Sequence, residues 1–295
     1  VTGDSLAYRL AAILFPIFGI VAAGYFYGRK HRPEMAVANR LNMDVFLPGL
    51  VFAAMAGKSF DLVGYAPLAL GGFLILLSCG LLTWPIACLI GSQPKTLVPP
   101  MVFNNSGNIG LPLAVLAWGE DALPAAVILF MVENTLHFSL GARLLDPQAR
   151  FLTLWRVPVV FAAIAGLAVA VFKLPLWQPL LIAIKMLGDV SVPLLLFSLG
   201  VRMTAVSFSE WKVATGSALL RPLAGMLIAT AVIQLLGLHG REAAMLLVFG
   251  ALPPAVLNFL FAERYKQEPE RVASIVLIGN LAALFYLPLA LAIVL

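Results

Sequence analysis

The chain has 295 residues, 62% of them hydrophobic and only 11% charged, with a mean hydropathy of +1.00; an ordinary soluble domain is about 45–50% apolar and about 25% charged. No soluble core of this length hides so much apolar surface, so nucleic-acid binding, a disulfide scaffold and most soluble-enzyme classes are set aside. The net charge of +5 reads as the excess of Lys and Arg that membrane proteins carry on their cytoplasmic side, not as a sign of an anionic macromolecular partner.

At about 20 residues per transmembrane helix the length holds about ten spans and no separate soluble domain. Apolar runs between charged or turn-forming breaks predict spans at 6–28, 36–56, 67–90, 97–118, 122–143, 157–173, 178–202, 212–236, 241–262 and 271–294. The first run is too long for a signal-peptide core and is read as a mature helix. Loops after the odd-numbered spans carry Arg29, Lys30, Arg32, Lys95, Arg143, Arg150, Arg156, Arg202, Lys212, Arg264, Lys266 and Arg271, against Arg9, Lys58, Lys173 and Arg241 on the other side. That bias predicts odd-numbered loops in the cytoplasm and both termini outside. The expected location is a bacterial inner membrane.

Span 2 contains Asp44-Val45-Phe46-Leu47-Pro48-Gly49-Leu50-Val51-Phe52, and span 7 contains Asp189-Val190-Ser191-Val192-Pro193-Leu194-Leu195-Leu196-Phe197. Asp, Val, Pro, Leu and Phe recur at a constant offset of 145 residues. Five spans separate the copies, and an odd number inverts the second half relative to the first, as in many secondary transporters. The predicted architecture is an all-α membrane protein of ten transmembrane helices in a five-plus-five inverted repeat. The first repeat takes 1–145, a cytoplasmic linker 146–156, and the second repeat 157–295.

Span 4 carries Phe103-Asn104-Asn105-Ser106-Gly107-Asn108-Ile109-Gly110-Leu111-Pro112 in its middle. Proline costs about 3 kcal/mol in a helix interior and glycine about 1, and amides facing lipid go unsatisfied. The span is predicted to break there. At the corresponding place of the second half, span 9 carries Gly250-Ala251-Leu252-Pro253-Pro254-Ala255-Val256-Leu257-Asn258, where adjacent prolines remove two backbone donors. Irregular backbone at membrane depth survives only inside protein or beside water, so the two breaks are expected to meet. Pro112 and Pro254 each suit the first turn of a new half-helix, whose N-terminal end favours an anion. Asn104, Asn105, Asn108 and Asn258 supply neutral amides beside it, and Pro112, Pro253 and Pro254 complete the expected anion-binding site.

Arg40, Asp44, Glu133, Lys185, Asp189 and Arg221 also fall inside predicted spans, where an ionisable group is costly and a functional candidate by default. Glu133 and His137 are one helical turn apart and share a face, fit either for proton or coupling-ion binding or for holding one another in place. Asp44 and Asp189, one turn before the paired prolines, are read as buried acceptors for freed backbone donors or as substrate contacts. Arg221 is placed to offset an anionic substrate or to pair with Glu133, and Lys185 and Arg40 to snorkel toward water. No metal site or cofactor is expected, and neither proton nor sodium coupling is excluded. An intramembrane enzyme with Ser106 as nucleophile and His137 as base is the alternative from another class.

Three stretches resemble the auxin efflux carrier family, which includes plant auxin exporters and bacterial relatives that carry malonate or other organic anions. They are Leu47-Pro48, the Asn104-Asn105-x-x-Asn108-x-Gly110-x-Pro112 signature, and Leu252-Pro253-Pro254-Ala255-Val256 followed by Ala262-Glu263-Arg264-Tyr265. The resemblance implies a fold like that of bile-acid and sodium/proton transporters, with broken helices 4 and 9 crossing inside a transport domain (spans 3–5 and 8–10). That domain moves against a scaffold (spans 1, 2, 6 and 7), which also implies a homodimer through the scaffold. A sodium-coupled importer is the nearest alternative within this class.

Overall fold

A backbone in lipid must satisfy its own hydrogen bonds, which leaves helices or closed barrels. In the computed structural model, which describes residues 5–56, 64–148, 158–205 and 210–295, the regular elements are helical and no strand occurs among the described residues. Lys58, Arg150 and Arg156, and most of the predicted 146–156 linker, lie outside the described residues.

Each predicted run is occupied by helix. Helix α1 spans Leu6–His31. The second run is α2 (Ala36–Leu41), a π-helical turn (Asn42–Phe46) and α3 (Leu47–Met55). Helix α4 is Ala66–Leu89. The fourth run is α5 (Pro94–Val102), a π-helical turn (Ser106–Gly110) and α6 (Leu111–Trp118). Next come α7 (Leu123–Leu136), a third π-helical turn (His137–Gly141) and α8 (Ala142–Leu145), then α9 (Pro158–Val171). Helices α10 (Gln178–Asp189) and α11 (Ser191–Arg202) form the seventh run, and α12 is Trp211–Leu236. The last two runs are α13 (Gly240–Ala251) with α14 (Leu257–Arg264), and α15 (Pro269–Val294). Proline sits in the first turn of α4, α5, α10 and α15, where its missing N–H is no loss.

Six continuous helical stretches of 24 to 26 residues are long and apolar enough to cross a membrane: Leu6–His31, Ala66–Leu89, Glu120–Leu145, Gln178–Arg202, Trp211–Leu236 and Pro269–Val294. At about 1.5 Å per residue each exceeds a hydrocarbon core of about 30 Å. Of the other four runs, the fourth and ninth are interrupted, α9 is short, and the second, Ala36–Met55, carries Asn39, Arg40, Asn42 and Asp44 in its first half. Large apolar side chains stand on the surface and a few polar ones lie within a largely apolar core: Phe15, Leu89 and Phe285 are over three-quarters exposed, whereas Asn104, Glu133, His137 and Arg221 are buried.

Two packing groups position the site. Helix α1 lies against α11, and α3 against α9 and α10; α12 packs on α13, α15 and α4. Glycines set the closest approaches. A Cβ on Gly24 would fall on the Phe197 carbonyl and one on Gly200 on the Val21 carbonyl; Gly225 and Gly250 stand in the same reciprocal relation across α12 and α13.

Candidate functional site

The two interruptions cross. Asn104 and Pro254 pair as an isolated antiparallel bridge, with Asn105 N–H donating to the Pro253 carbonyl (2.7 Å) and Ala255 N–H to the Phe103 carbonyl (2.9 Å). A proline forces the preceding residue toward extended backbone, so the tandem Pro253-Pro254 makes a short straight segment whose carbonyls remain available as acceptors. Two residues of each interruption, Phe103 and Asn105 on one side and Pro253 and Ala255 on the other, thus satisfy each other's backbone.

Side chains complete the crossing. Asn104 donates to the Phe249 carbonyl (2.8 Å), and Asn258 to the Phe103 and Ala255 carbonyls (both 3.0 Å). Asn105 donates to Asn280 Oδ1 (2.9 Å), while Asn280 donates to the Pro254 and Val276 carbonyls (2.9 and 2.7 Å). Asn280, on α15, is therefore a fourth amide of the crossing that the sequence reading passed over; its signal was a lone amide in the apolar run Val276-Leu277-Ile278-Gly279-Asn280-Leu281. Gly279 beside it lets Pro254 approach. Three predicted ligand amides, Asn104, Asn105 and Asn258, thus spend their donors on protein, although Asn104 Oδ1 and Asn258 Oδ1 are buried without a partner. Asn108 is half-buried and faces a cavity.

The predicted role of the prolines needs correction. The helix after the first interruption starts at Ser106, where the π-helical turn brings Ile109 and Gly110 N–H onto the Asn105 carbonyl (both 3.1 Å), so Pro112 sits a turn and a half inside the helical path. Pro254 precedes α14, which begins at Leu257, and belongs to the bridge. Pro254 is part of the crossing and Pro112 lies beyond it on α6, and neither opens the half-helix that faces the crossing.

A cavity of about 270 Å³ reaches the crossing; Asn104, Asn105, Asn108, Glu133, Asn134 and His137 line its inner part, and Asn39, Arg40, Ser198 and Arg202 line it from α2 and α11. Arg202, counted in the sequence as a loop charge, is one of its walls. A second cavity of about 440 Å³ is lined by Pro112, Glu120, Asp121, Lys185, Asp189 and apolar residues of α1, α3 and α11. The two lie at successive levels of the same helices. On the second run the asparagine cavity touches Met43 and Leu47 and the lysine cavity Leu50, Ala53 and Ala54; on α11 they touch Leu195 to Arg202 and Val192 to Leu196. Leu47, Leu50 and Leu196 are buried between them.

Glu133 and His137 do meet: His137 Nδ1 is 3.1 Å from Glu133 Oε1, both side chains buried. Ser106 Oγ donates to Glu133 Oε2 (3.3 Å), so the serine of the enzyme alternative is engaged by the carboxylate, not by the imidazole. Arg221, buried, donates from Nη1 to the Gly250 carbonyl (2.8 Å) in the last turn of α13, where a cation complements the helix dipole. It does not pair with Glu133 directly. Asp44 and Asp189 are not the buried acceptors expected. Both are about half exposed and form i,i+4 ion pairs with Arg40 (3.5 Å) and Lys185 (3.2 Å), because that spacing puts a cation one turn away on the same face. Lys185 also reaches Glu120 (3.4 Å), tying α10 to the turn before α7.

A multi-pass helical membrane protein with two interrupted helices crossing at the floor of a cavity is the class that fold and site define. Residues 149–291 match the family model described as "Membrane transport protein". The chain is 26% identical over 177 residues to auxin efflux carrier component 6 of Arabidopsis thaliana, a match covering 58% of this chain and 29% of the carrier. It is 21% identical over 293 residues to the uncharacterized transporter YfdV of Escherichia coli, 85% and 87% covered, and 25% identical over 305 residues to a putative malonate transporter of Rhizobium meliloti, 92% of each covered. The chain spans less than a third of the length of the plant carriers it matches. The resemblance to the auxin efflux carrier family is borne out, and the chain is a relative of membrane transport proteins.

Proposed function

We propose that the chain is a secondary transporter that moves a small organic anion, a carboxylate of the auxin or malonate kind, by alternating access, with the crossing as its substrate site. In this reading all ten runs span the membrane as two inverted repeats. The group around α12, α13, α15 and α4 carries the crossing against a scaffold of α1, α3, α9, α10 and α11, through which two copies pair. The Lys and Arg bias assigns the asparagine cavity to the cytoplasm and both termini to the other side, in a bacterial inner membrane.

The observation that carries this reading is the pair of cavities stacked along the same helices, with buried leucines between them and the crossing at the floor of one. Alternating access needs such a site flanked by two vestibules of which one is closed. Arg40 and Arg202 give the asparagine cavity a basic wall, and the amide of Asn108 faces it. A relative named as a putative malonate transporter, matching over nearly the whole length, supports a carboxylate. No step of this cycle calls for catalysis. Sodium coupling is the second reading, favoured by the unpartnered oxygens of Asn104 and Asn258, because neutral oxygens suit sodium.

Malonate counterflow in proteoliposomes tests the proposal. Wild type should show saturable exchange, and Asn108→Ala should raise the half-saturating concentration about tenfold or more, the worth of a hydrogen bond to a charged group. Saturable exchange that Asn108→Ala leaves untouched would remove the crossing as the site. Dependence of exchange on sodium would select the second reading.

A further inference from the structure

Behind the crossing lies a pair of titratable groups that anion binding alone does not use. His137 is buried and held from three sides. Phe103 stacks on it nearly parallel (ring centroids 4.1 Å apart, 8° between planes), Phe261 meets it edge-on (4.8 Å), and Nδ1 contacts Glu133 Oε1 at 3.1 Å. Its remaining ring nitrogen, Nε2, is buried with no hydrogen-bond partner among the described residues. Gly141 makes the stack possible, because a Cβ there would lie 2.7 Å from the Phe103 ring and 3.1 Å from His137 Cδ2. The helix pays for the arrangement with a π-helical turn at His137–Gly141, a distortion that recurs at functional sites.

Each partner of the pair is also joined to the crossing. Phe103 is the first residue of the interruption, and its carbonyl accepts from Ala255 and Asn258. Glu133 Oε2 accepts from Ser106, the first residue of the π-helical turn that follows. Both Glu133 and His137 line the asparagine cavity.

We propose that Glu133 and His137 form one proton-binding site linked to the asparagine cavity, so that each carboxylate bound there is accompanied by one proton. This rests on the anion-transport reading above. With Nδ1–H donating to the carboxylate, neutral His137 presents the lone pair of Nε2 as an unoccupied base. A proton from water in the cavity adds there, giving an imidazolium beside the carboxylate; no other bond changes. The buried cation of the group that carries the crossing is Arg221 of α12, bonded to the Gly250 carbonyl. Without the proton, Glu133, His137 and Arg221 together carry no net charge, and with it they carry +1. A monocarboxylate returns the sum to zero, and a dicarboxylate such as malonate brings it to −1 where it would otherwise reach −2. Ser106 and Asn134 beside the pair and Tyr265 behind Phe261 are neutral side chains, while Arg40 and Arg202, which line the same cavity from α2 and α11, do not change their charge. An anion and a proton therefore favour one another in this cavity, and by linkage each must raise the other's affinity by the same factor.

Calorimetry of malonate binding to the purified full chain, repeated near neutral pH in buffers of differing ionisation enthalpy, counts the protons taken up. Wild type should take up about one proton per malonate, and affinity should rise up to about tenfold for each unit of falling pH while the site is empty of its proton. Glu133→Gln and His137→Gln should each bind with no buffer dependence. Two variants, each checked for monodispersity, keep the result independent of the folding of either. Buffer-independent binding by wild type, proton uptake undiminished in a folded Glu133→Gln or His137→Gln, or uptake of sodium in place of the proton would each overturn the linkage while leaving anion binding intact. Absence of both binding and counterflow with malonate, acetate, succinate and indole-3-acetate would instead overturn the transport reading and this inference with it.

Discussion

At the scale of single residues, the asparagines divide by what their amides touch. Asn258 spans the crossing with two donors, to Phe103 of one interruption and Ala255 of the other, whereas Asn108 faces a cavity. Removing a buried partner leaves carbonyls unsatisfied at about 1–3 kcal/mol. Asn258→Ala should therefore lower the melting temperature of the purified protein by several degrees, while Asn108→Ala leaves melting within a degree or so and changes malonate affinity instead. Equal melting of the two variants would dissolve the distinction. That the asparagines matter was legible, since three amides in one apolar span are costly unless satisfied. Which of them hold protein and which face solvent was not, because an amide carries both donors and an acceptor and serves either purpose. Asn280 illustrates the other side of this: it bears no charge, so a reading that weighs ionisable groups passes over it, yet it bonds to both interruptions. Glu133 and His137 were readable because four-residue spacing survives in any helix, and they meet even though the helix widens into a π turn at His137 itself.

At the scale of elements, proline and glycine announced both interruptions, since their effect on a helix is local. Where each helix restarts depends on the partner interruption. Asn105 N–H is bonded to Pro253 and its carbonyl collects two N–H groups, so helix resumes at Ser106, six residues before the proline that the sequence favoured as the starting point. The closeness of α12 and α13 was likewise hidden, because a glycine in an apolar run says nothing of what faces it. Gly225 and Gly250 face each other's carbonyls, and the same contact brings the Gly250 carbonyl to Arg221. Gly250→Ala cannot be absorbed by a side-chain rotation, since the obstruction is backbone. Overpacking of this kind costs about 1–3 kcal/mol. Gly250→Ala should lower thermal stability and reduce the yield of monodisperse protein, whereas Gly216→Ala, on the same α12 with nothing near its Cβ, should not. A Gly250→Ala protein as stable as Gly216→Ala would mean that the two helices are not held at this distance.

At the scale of the whole molecule, composition foretold a membrane protein whose apolar surface lipid solvates, but not the two cavities, which arise at different levels along α3 and α11. The lysine cavity is bordered by a contact between groups that the transport reading sets in relative motion: Lys185 on α10 and Glu120 on the turn before α7, 3.4 Å apart and both largely exposed. An exposed pair is worth about 0–1 kcal/mol, too little to lock the molecule but enough to mark where its parts touch when this cavity is narrowed. Cysteines at both positions, in a protein whose exposed Cys88 is replaced by serine and whose buried Cys79 is kept, can be joined by a short thiol-reactive cross-linker that reduction releases. The joined protein should still bind malonate through the asparagine cavity, since that cavity lies at the other level of the same helices, but its counterflow should fall at least about tenfold and return on reduction. Loss of both binding and exchange would show that the linker distorts the crossing itself. Exchange at the wild-type rate in the joined protein would mean that the substrate passes without separating α10 from α7, and alternating access between these two cavities would have to be abandoned.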